Sequence, residues 1–143
     1  MFRKTKRLIC LALTLTLMLS MAAWPGTVVS AEETVVQPRY SYTESVITGL
    51  SINSSGTATC TAKATGYSDT TKIVIEMKLQ KYTLLWWSTQ QTWTTTVNDS
   101  SARLTKTKTV GSGTYRVIAT YTVYKGSKSE TIEGQSGEKK YTA

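Results

Sequence analysis

Hydrophobic and polar residues alternate along much of the chain after residue 45, which is the pattern of β-strands that bury one face. The clearest run covers residues 72–80, where one set of alternate positions is apolar and the other is mostly polar. Its apolar positions are Ile73, Ile75, Met77 and Leu79. A second such run covers residues 115–123, with apolar positions Tyr115, Val117, Ala119, Tyr121 and Val123. Each run predicts a strand with one face in a hydrophobic core.

Weaker patterns predict further strands. Residues 46–52, 57–65 and 86–97 alternate between clusters of turn-forming residues, and a last weak strand lies near residues 130–132. In residues 102–110 the two lysines fall on the apolar set of positions, which is typical of an edge strand. About seven strands with turns roughly every 8 to 12 residues predict one immunoglobulin-like or fibronectin-like Greek-key β-sandwich over residues 44–143.

Composition supports the all-β prediction. Of the 112 residues from position 32 onward, 23 are threonine. Threonine, like valine and isoleucine, is branched at Cβ and fits the pleated surface of a sheet better than the surface of a helix. Helix is therefore expected to be scarce.

Two details bear on how the sandwich is held together. Residues 113–117, Gly-Thr-Tyr-Arg-Val, match a tyrosine corner, in which the Tyr115 hydroxyl ties the preceding connection to the backbone. Val117 stands where disulfide-bearing immunoglobulin domains have a cysteine. Cys60 is the only cysteine after residue 31, and we expect a buried small hydrophobic side chain there. A reactive thiol or an intermolecular disulfide is the alternative.

The N-terminus predicts a secretory signal peptide over residues 1–31. Four basic residues before position 8 precede an apolar run from residue 8 to residue 24, and Val29-Ser30-Ala31 offers a cleavage site between Ala31 and Glu32. Cleavage near Ala23 and an uncleaved anchor are the alternatives. We therefore expect a secreted, extracellular protein, a signal peptide that is only transiently in the membrane, and a flexible leader at residues 32–43.

Removal of the signal peptide changes the charge. The whole chain carries a formal net charge of +8, whereas residues 32–143 hold thirteen basic and nine acidic residues. Five basic residues are candidates for contact with an anionic cell-wall polymer or a lipid surface: Arg116, Lys125, Lys128, Lys139 and Lys140. An ordinary solvated face is the alternative. The expected compartment argues against nucleic acid as a partner.

The residues that usually carry catalysis are scarce. The chain has no histidine, which removes the usual general base and the commonest zinc ligand. A glycosidase needs only two facing carboxylates, so Asp69, Glu76 and Asp99 are considered. Glu76 falls on the polar face of its strand, and both aspartates fall in turns, where they commonly satisfy the backbone. We expect no catalytic residue, metal site or cofactor, and hence no enzyme.

The remaining candidate site is aromatic. Trp87 and Trp93 are six residues apart, so in a regular strand they share a face, which we expect to be the core side. Trp86 falls on the opposite face and, with Tyr82, is the candidate for an exposed aromatic group. The four residues are binding candidates for a glycan, a cell-wall polymer or another extracellular protein. The alternatives are a β-bulge that turns Trp86 inward and a Trp86 ring that merely covers a sheet edge.

Several of these segments together resemble a family of small secreted proteins of Gram-positive bacteria to which no function is assigned. The segments are residues 52–58, 72–81, the hairpin ending at Trp93, 113–117 and 121–124. The resemblance covers most of residues 44–131 and implies no catalytic motif. We expect a secreted, non-enzymatic binding or surface-interaction module. The alternative is a small cationic effector that acts on membranes or competitor cells.

Overall fold

The computed structural model describes residues 39–143, which form eight strands and no helix. The strands are β1 (Thr43–Ile52), β2 (Thr57–Gly66), β3 (Lys72–Thr83), β4 (Trp86–Val97), β5 (Ser101–Thr109), β6 (Gly113–Lys125), β7 (Lys128–Gln135) and β8 (Lys139–Tyr141). The predicted signal peptide, its cleavage site at Ala31 and Glu32, and most of the predicted leader lie outside the described residues.

The strands form two antiparallel sheets, so the prediction of an all-β sandwich is confirmed. The smaller sheet has the order β1-β2-β5, and the larger has the order β4-β3-β6-β7, with β8 paired to the start of β6. The chain crosses between the sheets after β2, β4 and β5. In constant-type immunoglobulin domains the fourth strand belongs to the sheet of the first, second and fifth strands, whereas here it pairs with β3. The last predicted strand, near residues 130–132, corresponds to β7, and β8 is an additional strand that raises the number from seven to eight.

The core lies between the two inner faces and combines small with large side chains. The smaller sheet contributes mainly alanines and Cys60 from β2, whereas β3 and β6 contribute isoleucine, methionine, leucine, valine and tyrosine. Small residues on one face allow the other sheet to place large side chains at close range. Cys60 is fully buried, and burial raises the pKa of its thiol to about 11. The prediction that Cys60 is a buried hydrophobic residue is therefore confirmed.

Tyr121 joins the two sheets at the centre of the core. It is the largest fully buried side chain, and its hydroxyl donates to the Ile47 carbonyl of β1 at 2.7 Å. The hydroxyl oxygen also lies 2.7 Å from the Thr48 hydroxyl, which then donates to it. Gly134 leaves space for this contact, since a Cβ there would lie 2.3 Å from Thr48 Oγ1. Tyr121 therefore combines hydrophobic burial with two hydrogen bonds between the sheets.

The predicted tyrosine corner is also confirmed. The Tyr115 hydroxyl donates to the Gly111 carbonyl at 2.9 Å, which fixes the connection between β5 and β6. Val117, two residues further on, is fully buried in the core. Its amide donates to the buried Ser136 hydroxyl at 2.8 Å. These contacts hold the start of β6 against the segment between β7 and β8.

Glu130 in β7 fixes the point where the chain enters β1. Its carboxylate accepts hydrogen bonds from the amides of Ser41 and Tyr42, at 2.8 and 2.9 Å, and from the Thr43 hydroxyl at 3.1 Å. Tyr42 also packs against the core. The last residues of the predicted leader are thus attached to the domain.

Substitution of Glu130 by glutamine is expected to lower the free energy of unfolding at pH 7 by about 1 kcal/mol, because a neutral amide accepts these hydrogen bonds more weakly and solvent screens part of the loss. Burial by itself raises the pKa of Glu130. The hydrogen bonds from Ser41, Tyr42 and Thr43 lower the pKa by more than burial raises it, so the pKa lies below its ordinary value of 4.5. The charged carboxylate therefore stabilises the fold above pH 4.5, and this contribution is lost as pH falls through the lower folded-state pKa.

Urea unfolding of the wild type and the Glu130→Gln variant at pH 7 and pH 3 checks this expectation. The difference between the two proteins should shrink at pH 3. Glu133→Gln, on the same strand, is the control and should change stability little at either pH. A Glu130→Gln effect of the same size at both pH values would contradict the assigned role of the charge.

Candidate functional site

The hairpin between β3 and β4 carries the most exposed apolar group in the described part of the chain. Thr83 pairs with Trp86, so the turn consists of Leu84 and Leu85 alone. Both leucine side chains are 84% exposed, and beside them Trp86 is 59% and Tyr82 45% exposed. Residues 82–86 are called the hairpin tip below. Sequence reasoning located the hairpin and chose Tyr82 and Trp86, but it did not include the two leucines in the site.

The backbone of the turn is unusual for leucine. Leu84 has a φ of 56° and is the one non-glycine residue with positive φ in the described part of the chain. In this left-handed region the Cβ of an L-residue lies too close to the following carbonyl oxygen, so glycine, asparagine and aspartate are the usual occupants. In the sequence, two consecutive leucines stand in a turn between two strands, where glycine, asparagine and aspartate are the usual residues, and this is the signal that would have pointed to them.

A β-bulge in β4 determines where each tryptophan lies. Leu79 pairs with Gln91 and Gln80 pairs with Thr89, so Gln90 is an extra residue in β4. On the side of the bulge away from the Leu84-Leu85 turn, Trp93 pairs with the inward-facing Met77 and packs against the core. Between the bulge and the turn, the alternation of inward-facing and outward-facing residues in β4 is reversed.

Because of the bulge, Trp87 lies on the opposite face of the sheet from the one expected. Trp87 pairs with Tyr82 on the outer face of the larger sheet, so the prediction that it shares the core face with Trp93 is wrong. Trp86 is turned to the inner side, as the bulge alternative described. It is nevertheless exposed, because the hairpin extends beyond the last pairing of β3 with β6, which joins Lys81 to Tyr115.

Trp87 holds the base of the hairpin on the outer face. The Arg116 guanidinium carbon lies 4.2 Å from the centroid of the Trp87 ring, and the Tyr82 and Trp87 ring centroids are 5.3 Å apart with the planes inclined at 57°. Arg116 Nε also donates to Gln80 Oε1 at 2.9 Å. We call these four residues the Trp87 cluster. Because Arg116 covers the Trp87 ring, that ring is not an open platform for stacking on a sugar.

The five basic residues proposed from the sequence do not form one surface. Arg116, Lys139 and Lys140 lie toward the end of the sandwich that carries the hairpin tip. Lys125 and Lys128 pair with each other at the opposite end of the larger sheet. Lys125 also forms an ion pair with a carboxylate oxygen of Asp69. The hydrogen bond to Asp69, and then the charge of that carboxylate, raise the pKa of Lys125 above its ordinary value.

The strand registers collect a larger basic group around the hairpin tip. Toward this end of the described chain lie six basic residues and one acidic residue, Glu138. The basic residues are Lys81, Lys106, Lys108, Arg116, Lys139 and Lys140. We call this the basic end. Three of its lysines were not among the sequence candidates, because they become neighbours only when β3 and β5 end at the same side of the sandwich.

The opposite end has a more balanced charge. Its six basic residues are accompanied by four acidic ones, Glu44, Asp69, Asp99 and Glu130. The middle of the larger sheet holds Glu76, Lys78 and Glu133, with Glu76 and Lys78 joined by a 2.7 Å ion pair. The described domain therefore has its main positive excess at the same end as its exposed leucines.

The three carboxylates considered for catalysis have separate local contacts. Glu76 pairs with Lys78 on the outer face of β3, and Asp69 pairs with Lys125. Asp99 accepts a hydrogen bond from the Ser100 amide at 2.6 Å in the loop after β4. Within residues 39–143 no group of three His, Cys, Asp or Glu side chains is arranged to hold a metal ion. The contacts of the three carboxylates are those of ordinary surface and turn residues.

A scan against protein-family models and searches of the curated proteins and of the solved structures found no match for this chain. The similarity to small secreted Gram-positive proteins stays a prediction.

Proposed function

We propose that the protein is a secreted, non-enzymatic surface-interaction module that makes contact through the hairpin tip. Secretion is the expectation from the N-terminal sequence. The observation that carries the contact role is the pair of leucines, each 84% exposed, in a turn whose first residue has a left-handed φ.

A second turn in the same sheet shows what stability alone would favour. The β6–β7 connection is also a two-residue turn with a left-handed first residue, and there the residues are Gly126, with φ of 59°, and Ser127. Glycine at the first position is the usual solution for such a turn. In the matching position of the β3–β4 turn, Leu84 is strained by about 1–2 kcal/mol relative to a relaxed conformation.

The leucines give the fold nothing that offsets this strain. A side chain stabilises a protein by leaving water on folding, and the side chains of Leu84 and Leu85 remain almost wholly in water. Exposed apolar groups that are clustered, unlike scattered ones, commonly mark a contact surface. Here the cluster includes Tyr82 and Trp86 as well. Contact with a partner is the role that accounts for the cluster.

The hairpin is also held in place before any partner arrives. The Trp87 cluster packs Arg116 of β6 against β4 and β3, and Lys81 of β3 lies with its ammonium 5.7 Å from the Tyr115 ring centroid. A preorganised tip loses little conformational entropy on binding. This favours recognition by a fixed shape over recognition by a flexible loop.

The basic end supports a second candidate, a cationic effector that disrupts membranes or competitor cells. The two functions differ in outcome, because an effector must breach the bilayer and a surface module need only attach to it. Release of a trapped dye from anionic vesicles at low salt separates them. Release supports the effector, and retention of the dye in vesicles that have bound the protein contradicts it.

The contact role is tested by sedimentation of the secreted protein with intact bacterial cells. The tip variant carries Leu85→Ser and Trp86→Ser. The control carries Ile47→Ser and Tyr67→Ser, which remove two side chains that are 57% and 46% exposed, respectively, and lie away from the tip. Hot-spot residues of a contact surface typically change affinity by about tenfold or more.

We expect the fraction of protein retained on cells to fall by at least about tenfold in the tip variant and by less than about twofold in the control. Equal retention of the tip variant and the wild type would overturn the proposed contact surface. Failure of the wild type itself to sediment with cells would overturn the proposed surface-interaction role.

A further inference from the structure

We propose that the partner of the hairpin tip is the anionic surface of a lipid bilayer, into which the tip inserts. This inference rests on the proposed contact role of the tip and adds the chemistry of what it contacts. Two observations carry it: the order of side-chain types along the hairpin axis, and the position of the basic end behind the tip.

Side-chain types change in a fixed order with distance from the turn. Leu84 and Leu85 form the extremity, and the adjoining positions hold the aromatic residues Tyr82 and Trp86. Behind them comes a row that joins Lys81 to Tyr115 and Tyr115 to Lys139 across three strands. Arg116, in the next row, pairs with Gln80. The order is thus aliphatic, then aromatic, then cationic.

This order is the one that a bilayer presents with increasing distance from its centre. Aliphatic chains are innermost, tryptophan and tyrosine favour the interface, and lysine and arginine reach the phosphate level with their charged groups. A strand rises about 3.3 Å per residue, so the row of Lys81 lies about 10 Å behind Leu84. Shallow insertion of apolar groups reaches about 5–10 Å into the boundary between headgroups and acyl chains. The dimensions of the hairpin therefore match shallow insertion.

The shape of the tip favours a lipid surface over a protein pocket. Both leucines project from the turn and are almost fully exposed, so a protein partner would have to provide a complementary hollow with an anionic rim. A bilayer admits a convex apolar group without any preformed pocket. The tip is also two residues longer than the pairing of β3 with β6, since Tyr82 and Thr83 have no partner in β6.

Charge would orient the protein as it approaches. The basic end holds six basic residues and one acidic residue, whereas the opposite end has four acidic residues among its six basic ones. A negative lipid surface attracts juxtaposed basic residues over about a Debye length and so favours approach with the tip leading. Attraction of this kind weakens as salt is added, whereas apolar insertion does not. Binding is expected to show both components.

The experiment measures co-sedimentation of the secreted protein with vesicles of equal parts phosphatidylglycerol and phosphatidylcholine, and with vesicles of phosphatidylcholine alone. Leu84→Gly with Leu85→Ser removes the apolar extremity and installs the dipeptide of the β6–β7 turn, so the variant is expected to fold. Lys139→Gln with Lys140→Gln reduces the basic end. Lys125→Gln with Lys128→Gln removes the same charge from the opposite end and is the matched control.

We expect the wild type to bind the anionic vesicles at least about tenfold more strongly than the neutral ones. The leucine variant should lose about thirtyfold or more in affinity, and the Lys139 and Lys140 variant about tenfold, with a weaker dependence on salt. The control should stay within about twofold of the wild type. Equal binding by the leucine variant and the wild type, or equal losses for the two lysine pairs, would overturn the inference.

Two further arms separate lipid from other anions and separate this inference from the contact role. Polyphosphate-coated beads offer the phosphate charge without a bilayer, and their capture of the protein should not depend on the leucines. Tip-dependent retention on cells without vesicle binding would overturn lipid as the partner and leave the contact role intact. Loss of tip dependence on both cells and vesicles would overturn both.

Discussion

Substitution of Tyr121 by alanine is expected to lower the free energy of unfolding by about 4 kcal/mol, which is in the range measured for removal of a large buried aromatic side chain. Tyr121 is the largest fully buried residue of the domain, and its removal would leave a cavity between the two sheets. It would also leave the Ile47 carbonyl and the Thr48 hydroxyl without their partner. Urea unfolding followed by far-ultraviolet circular dichroism measures the change.

A second variant separates the two contributions of this side chain. Tyr121→Phe keeps the ring and removes the hydroxyl, so the expected loss is about 1–2 kcal/mol, the cost of leaving partly buried polar groups unpaired. Tyr124→Phe is the matched control on the same strand, because its ring lies on the outer face under the Lys72 ammonium, 4.0 Å from the centroid. A Tyr121→Phe variant as stable as the wild type would contradict the role given to the inter-sheet hydrogen bonds.

The exchange of Leu84-Leu85 for Gly-Ser is expected to raise stability by about 1 kcal/mol. Relief of the left-handed conformation contributes about 1–2 kcal/mol, and the greater freedom of glycine in the unfolded chain offsets about 0.5–1 kcal/mol of that gain. The same variant should lose vesicle binding. A gain in stability together with a loss of binding is the pattern expected of residues retained for contact and not for the fold.

The reciprocal exchange provides the control. Gly126→Leu with Ser127→Leu places leucines in the other two-residue turn, where a Cβ on residue 126 would meet no atom within 4 Å. The expected loss of about 1 kcal/mol therefore reports the same two opposing contributions, backbone strain and the freedom of glycine in the unfolded chain, without a steric clash. Both exchanges are measured by the midpoint of urea unfolding. A destabilising Leu84-Leu85 exchange would show that the leucines support the fold and would remove the main argument for a contact role.

Much of the fold could be predicted from the sequence because the strands of the core alternate cleanly. Residues such as Ile75 and Val117 fall on apolar positions that the structure places in the core. The tyrosine corner could be predicted from a local motif, because the contact of Tyr115 with Gly111 spans only four residues. The additional strand β8 left no comparable signal, since residues 136–141 are mostly polar.

The bulge at Gln90 could not be predicted by alternation. Residues 88–92 are all polar, so an extra residue among them does not interrupt any run of alternating apolar residues. The bulge places the two tryptophans on opposite faces of the sheet, because Trp93 lies on one side of the bulge and Trp87 on the other. A register shift of one residue moves every following side chain to the other face.

The basic end could not be predicted from the sequence, for a different reason. Lys81, Lys106 and Lys139 are distant in sequence, and only the order of strands brings them to one end of the sandwich. Sequence reasoning recognised that Lys106 breaks the apolar pattern and assigned it to an edge strand. The unpaired edge of β5 agrees with that assignment, while the clustering with the hairpin tip required the topology.

The most direct test of the central claim places an environment-sensitive fluorophore at the tip by Leu85→Cys and, as the control, at the opposite end by Tyr67→Cys. Cys60 should not be labelled, because its thiol is fully buried and burial raises its pKa to about 11. Upon addition of phosphatidylglycerol vesicles, emission from position 85 should shift to shorter wavelength and increase, while emission from position 67 should not change. Unchanged emission at position 85 in protein that sediments with the vesicles, or equal shifts at both positions, would contradict insertion of the hairpin tip.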